Sequence, residues 1–170
     1  MTFPDRRFSS ISDYADAYFE QYARAMTSVD SDQLANCIAI LQKTYENDNT
    51  LYVCGNGGSA AISNHLACDH GKLLATDTDL LPHVHSLAAN IEVITAIAND
   101  ISYDEIYSQQ LKVKALPGDV LIVLSGSGNS ANVIRALEVG NTIGMKTFAI
   151  LGYTGGRCRE VAQVPIHFEV

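Results

Sequence analysis

Two segments of this 170-residue chain follow the same plan: a short apolar run, a loop of glycine and hydroxyl residues, then a helical stretch. Leu51–Cys54 runs into Gly55-Asn56-Gly57-Gly58-Ser59, and Val120–Leu124 runs into Ser125-Gly126-Ser127-Gly128-Asn129-Ser130. Unbroken apolar runs this short suit strands buried on both faces of a parallel sheet, whose connections are right-handed crossover helices. Val84–Ala88, Thr147–Leu151 and Pro165–Val170 bring the set to five. The pattern predicts an α/β fold: a five-stranded parallel sheet, doubly wound. Its helices fall over Ser59–Leu74, Ile91–Ala98, Tyr103–Ala115, Ala131–Ile143 and Gly156–Ala162.

Before the first strand, apolar residues recur at three- and four-residue spacing from Ile11 through Tyr14, Tyr18, Tyr22 and Met26. After the cap chemistry of Asp30 to Asp32 they recur again through Leu34, Cys37, Ile38 and Leu41. Each set is one stripe of an amphipathic helix. We read residues 1–170 as one domain, with an N-terminal helical hairpin over 1–49 and the α/β core over 50–170. The chain reaches its last strand with no helix written behind it, which leaves one part of the sheet to be covered by a partner subunit or by further chain.

Glycines let backbone N–H groups approach a ligand closely, and a helix N-terminus favours an anion. Each loop therefore reads as an anion cradle. In an open α/β sheet both cradles would lie on one ligand-binding edge, at the topological switch point. The first is neither a G-x-G-x-x-G nor a Walker A loop, since no Lys-Ser/Thr follows its glycines, and no nucleotide cofactor is expected. His65 and Asp69, four apart on the helix that the first loop opens, share a face. Such a pair is either a solvated face or a site for proton transfer or a metal. Asn99 and Asp100 follow an apolar helix and by themselves read as a stop signal. His70 is expected to face water, and His83, His85 and His167 are read as strand residues.

Charge narrows the ligand. With 19 acidic and 11 basic residues the chain carries a formal −8 and shows no Lys/Arg cluster. Nucleic acid and anionic membrane surfaces, which require concentrated positive charge, are poor partners, whereas a small anion held by backbone N–H groups is compatible. The four cysteines lack C-x-x-C spacing and read as reduced core residues. Together with the absence of an apolar leader or membrane-length run, they predict a cytoplasmic protein.

In their order and separations, GNGGSAA followed by His65 and Asp69, then AIAND, then SGSGNSANVIRAL resemble the sugar isomerase (SIS) domain family, in its phosphoheptose isomerase branch. The resemblance spans about residues 10 to 170 and implies a flavodoxin-like SIS domain. The implied activity is aldose–ketose isomerisation of a sugar phosphate, sedoheptulose 7-phosphate to D-glycero-D-manno-heptose 7-phosphate, in surface-polysaccharide heptose synthesis. It also implies a homo-oligomer, a tetramer, and zinc (Zn2+) near His65 and Asp69 in some members. By the same resemblance Asn56, Gly57, Gly58 and Ser59 line the sugar site with Asn99 and Asp100, and Ser125, Gly126, Ser127 and Ser130 bind the phosphate. Asp69 occupies the place of the proton-transferring base.

Three departures accompany the resemblance, one being that the basic residue expected shortly after the acid is met only by Lys72, one position early. The family's base is Glu, one methylene longer, so an Asp carboxylate sits roughly 1 to 1.5 Å further back, a displacement to which proton transfer is sensitive. The family also carries a C-terminal helix with a Gln and a His for the same site, expected to be absent here. The alternative implied by a close relative is a non-catalytic SIS module that binds a sugar phosphate or a replication-initiator protein.

Overall fold

A computed structural model describes residues 3–170. Its sheet has five parallel strands: β1 (Thr50–Gly55), β2 (His83–Ser86), β3 (Val120–Ser125), β4 (Lys146–Leu151) and β5 (Val164–His167). They lie in the order β2-β1-β3-β4-β5. This is the flavodoxin-like order, and its switch point falls between the adjacent strands β1 and β3.

Eight helices surround the sheet among the described residues: α1 (Ile11–Thr27), α2 (Ser31–Glu46), α3 (Gly58–Asp69), the single turn α4 (Ala75–Asp77), α5 (Ile91–Asp100), α6 (Ser108–Lys114), α7 (Ala131–Ile143) and α8 (Gly156–Val161). The strand alternation divides the core in two. Tyr52, Cys54, Leu121 and Val123 point to the side covered by α6, α7 and α8, where they meet Tyr107, Leu111, Val133 and Leu137. Leu51, Val53, Val120, Ile122 and Phe148 point the other way, onto Cys37 and Leu41 of α2 and Leu66 of α3. Both faces are therefore apolar, which is why the strands read as continuous hydrophobic runs.

Register places the two cradles level with each other. Leu51 pairs with Val120 and Gly55 with Leu124, so Asn56 and Ser125 each follow the paired ends of β1 and β3. Asp119 anchors the other end. Its Oδ1 accepts the Thr50 N–H and its Oδ2 the Leu116 N–H, both at 2.8 Å.

Four expectations change. The terminal strand is covered: Val164 and Ile166 are buried in the core that α2 closes, because the hairpin folds back over the sheet. The helix expected over Ser59–Leu74 widens into a π turn at His70–Leu74, directly after Asp69. His70 is partly buried rather than freely facing water. Its Nδ1 lies 2.9 Å from the Leu66 carbonyl oxygen and its ring packs toward Tyr45. Cys68 is exposed, whereas Cys37, Cys54 and Cys158 are buried. Helix periodicity puts Cys68 on the outer face of α3.

On α1, Tyr18, Phe19 and Tyr22 are exposed. An apolar groove of about 410 Å³ runs from Phe3, Tyr18 and Tyr22 to Tyr153, Phe168 and Val170. No helix of the described residues is long and apolar enough to cross a membrane.

Candidate active site

The first cradle begins where β1 ends. A Cβ on Gly55 would sit 2.6 Å from both the Leu124 carbonyl oxygen and the Ser59 Cβ, so only glycine lets β1, β3 and the start of α3 come this close. The chain then turns tightly into α3, with the Ser59 N–H bonded to the Asn56 carbonyl at 3.0 Å. The hydroxyl of Ser59 makes no hydrogen bond within the described structure, whereas that of Ser63, one turn on, is bonded to the Ser59 carbonyl.

The second cradle is held by its neighbour loop. Ser125 Oγ is buried and accepts the Gly128 N–H at 3.1 Å. The Gly128 carbonyl accepts the Cys158 N–H at 2.9 Å, and Asn129 Oδ1 accepts the Arg157 N–H at 3.0 Å. Gly128 has φ +66°, and a Cβ there would overlap the Gly155 carbonyl. The Ser-rich loop is thus laced to the Thr154-Gly155-Gly156 turn. Ser130 is the N-cap of α7, yet its hydroxyl accepts no N–H from the helix and no acidic residue occupies the first turn. The end of α7 is open to an anion.

The cradles meet. One cleft of about 230 Å³ has Ser59 and Ile62 on one wall and Ser125, Gly126 and Gly152 on another, with Phe168 at its edge. Ser59, Ile62, His65 and Asp69 follow one another along α3 at helical spacing. His65 Nε2 lies 3.4 Å from Asp69 Oδ2, and both side chains are solvent-accessible, 76% and 42%. Asn99 and Asp100 form the last turn of α5 rather than a loop after it, with Asn99 Nδ2 donating to Asp100 Oδ1 at 2.8 Å.

Three residues that sequence reasoning passed over surround Asn56. Asn132 in the first turn of α7 exchanges two amide hydrogen bonds with it, at 2.8 and 2.9 Å. The Tyr103 and Tyr107 hydroxyls lie 3.2 and 3.3 Å from Asn56 Oδ1, and Tyr107 also donates to the Gly55 carbonyl at 2.5 Å. Burial pushes the Tyr107 phenol well up, so it stays protonated as a donor. The only available signal was the position of Asn132 two residues into the helix behind the serine loop. Cys54, beside Gly55, is held as a neutral thiol by complete burial, reinforced by Cys158, and is no nucleophile. Glu105, held low by the Ser108 hydroxyl against a smaller opposing effect of burial, and further by Lys112 and Arg135, ties the turn bearing Tyr103 to α7.

Zinc needs more donors than this pair. A catalytic zinc takes three protein ligands, and the described residues bring together no group of three or more His, Cys, Asp or Glu side chains. His65 and Asp69 supply two.

Two level anion cradles at the switch point of a parallel sheet define an α/β domain built to hold a small phosphorylated or otherwise anionic ligand. The SIS domain family matches residues 14–152, and the chain belongs to that family. It is 36% identical over 149 residues to the probable phosphoheptose isomerase of Thermoplasma volcanium, covering 88% of this chain and 76% of that one. To the phosphoheptose isomerase of Chlorobaculum parvum it is 37% identical over 139 residues, 81% of this chain and 66% of that one. The structure of phosphoheptose isomerase GmhA from Neisseria gonorrhoeae superposes with a TM-score of 0.81 at 28% identity, covering 93% of this chain and 84% of that one.

Proposed function

We propose that this chain is a sugar-phosphate isomerase that interconverts sedoheptulose 7-phosphate and D-glycero-D-manno-heptose 7-phosphate, the heptose step of surface-polysaccharide synthesis. The observation that carries this reading is the convergence of both cradles on one cleft, with the His65–Asp69 pair further along the helix that the first cradle opens. Relatives named phosphoheptose isomerase support the choice of sugar.

In this reading the serine loop and the α7 N-terminus hold the phosphate and orient the sugar from its far end. Ser59 and Asn56 face the sugar. Asp69 takes the proton from the hydroxyl-bearing carbon beside the carbonyl, leaving an enediolate, and returns it to the former carbonyl carbon, while His65, 3.4 Å from Asp69, gives a proton to the old carbonyl oxygen and takes one from the neighbouring hydroxyl. Asp69→Asn tests this, since the amide cannot act as a base: turnover of sedoheptulose 7-phosphate should vanish while sugar-phosphate binding persists. Full turnover in that variant would refute the assignment.

The exposure of the pair and the shorter acid favour a second reading, a non-catalytic module that binds a sugar phosphate or a replication-initiator protein. A wild-type protein that binds sedoheptulose 7-phosphate without turning it over, and without exchanging substrate protons with deuterated water, would decide for it.

Three further points belong to the proposal. Zinc at His65 and Asp69 rests on those two donors alone: stoichiometric zinc retained on dialysis and lost in His65→Ala supports it, and none retained refutes it. A homotetramer would cover the exposed aromatic stripe of α1 and its groove. Light scattering that gave a monomer of 18.4 kDa would refute it. Four free cysteines fit a reducing, cytoplasmic setting.

A further inference from the structure

We propose that Asn132 and Tyr107 are positioning residues that aim Asn56 and hold the two cradles at a fixed separation, an inference that rests on the isomerase reading for its consequence in turnover. Asn56 stands in a loop, where an unrestrained amide side chain would sample several rotamers. Here it is held directly from two elements, the turn before α6 and the first turn of α7, while Tyr107 at the start of α6 fixes the Gly55 carbonyl next to it.

The grip uses most of what the Asn56 amide can offer. Its Oδ1 accepts from Asn132 Nδ2 at 2.9 Å and from the Tyr103 hydroxyl at 3.2 Å, and one of its two Nδ2 hydrogens goes to Asn132 Oδ1 at 2.8 Å; the single Tyr107 proton goes to the Gly55 carbonyl. One N–H remains, so the partner Asn56 can take in the cleft is an acceptor, a carbonyl or hydroxyl oxygen of the sugar. Asn132 is 1% exposed. A buried amide requires partners, and this one spends its bonds on the loop after β1 and leaves its own helix aside.

The geometry adds a second role. Asn56 belongs to the cradle after β1, and Asn132 lies in the first turn of the helix opened by the cradle after β3. The amide pair is thus a direct strut between the sugar end and the phosphate end of the cleft. Tyr107 braces it by binding the Gly55 carbonyl, the last residue of β1, at 2.5 Å. A ligand touching both ends would respond to the strut; a phosphate alone would not.

The test combines kinetics with a readout that does not depend on turnover. In wild-type protein the Asn56 side-chain amide should give one sharp NMR pair with slowed hydrogen exchange, and Asn132→Ala and Tyr107→Phe should each broaden it or speed its exchange. Asn132→Ala should lower kcat/KM for sedoheptulose 7-phosphate roughly ten- to a hundredfold and Tyr107→Phe severalfold, while affinity for inorganic phosphate stays within about twofold of wild type. Combining Asn132→Ala with Asn56→Ala should cost little more than Asn56→Ala alone, since both act through one group. Should Asn132→Ala fail to fold, Tyr107→Phe carries the test, because it removes a single oxygen. An unchanged Asn56 amide in folded variants, additive losses in the double variant, or an equal loss of inorganic phosphate binding would each overturn the proposal. If wild-type protein does not turn over the sugar phosphate, the isomerase reading fails, and the amide signal still decides the strut.

Discussion

Ser130 separates a ligand-binding hydroxyl from a helix cap. The N-caps of α1, α2 and α5 each accept backbone N–H groups: Ser10 from Asp13, Asp30 from Asp32 and Gln33, and Asn90 from Val93. Ser130 occupies the same position on α7 and accepts none. Replacing a working cap by Ala costs about 1 kcal/mol. That loss is not available at Ser130, so Ser130→Ala should leave the melting temperature within a degree or two of wild type. Its binding consequence is different. A hydroxyl donating to a phosphate oxygen makes a charge-assisted bond worth about 1.5 to 3 kcal/mol, and at 1.4 kcal/mol per decade this is roughly a ten- to hundredfold loss in affinity. Ser125→Ala is the internal control: its buried Oγ holds the Gly128 N–H, so it should lower stability by about 1 kcal/mol as well as binding. Calorimetric titration of sedoheptulose 7-phosphate into the Asp69→Asn background, where no turnover intervenes, reads the affinities, and thermal unfolding reads stability. A lowered melting temperature with unchanged affinity in Ser130→Ala would refute the reasoning, for the hydroxyl would then be a cap and no ligand.

Three other outcomes follow from the same structure. Gly128→Ala, at φ +66° and against the Gly155 carbonyl, adds left-handed strain of about 1 to 2 kcal/mol and disturbs two loop hydrogen bonds, which lowers the melting temperature on the order of 10 °C in thermal unfolding. Tyr45 carries a buried hydroxyl with no partner among the described residues, its phenol pushed up to about 12 by burial; Tyr45→Phe should raise stability by about 1 kcal/mol in urea unfolding. Burial lifts the Cys158 thiol from 9.0 to about 11, so the native state keeps a proton that the unfolded state loses. Stability present below pH 9 should therefore fall between about pH 9 and 11 by about 1.4 kcal/mol per pH unit, a slope that Cys158→Ala reduces.

What the chain wrote locally was legible locally. The unbroken apolar runs located all five strands to within a few residues, and Ala131–Ile143 was read to the residue, because burial on both faces and helical spacing each leave a one-dimensional trace. The two cradles were visible for the same reason, as glycines and serines stand where strands end.

Tertiary structure decided what depends on which surfaces meet. The order of the strands puts β1 beside β3, and that adjacency alone turns two separate loops into one cleft. The hairpin, a pair of striped helices in sequence, proves to cover β5, a strand more than a hundred residues later, since only the folded chain shows where its stripe is buried. His70 and Cys68 changed places with their expected surroundings because the face of α3 that meets the hairpin is not written in α3. The hydrogen-bond partner of Asn56 lies 76 positions away, and neither residue type announces it. Amide pairs form wherever folding brings two unsatisfied groups within 3 Å in a dry place. Sequence spacing carries periodicity along one element; the distance between elements is set by the packing of the core.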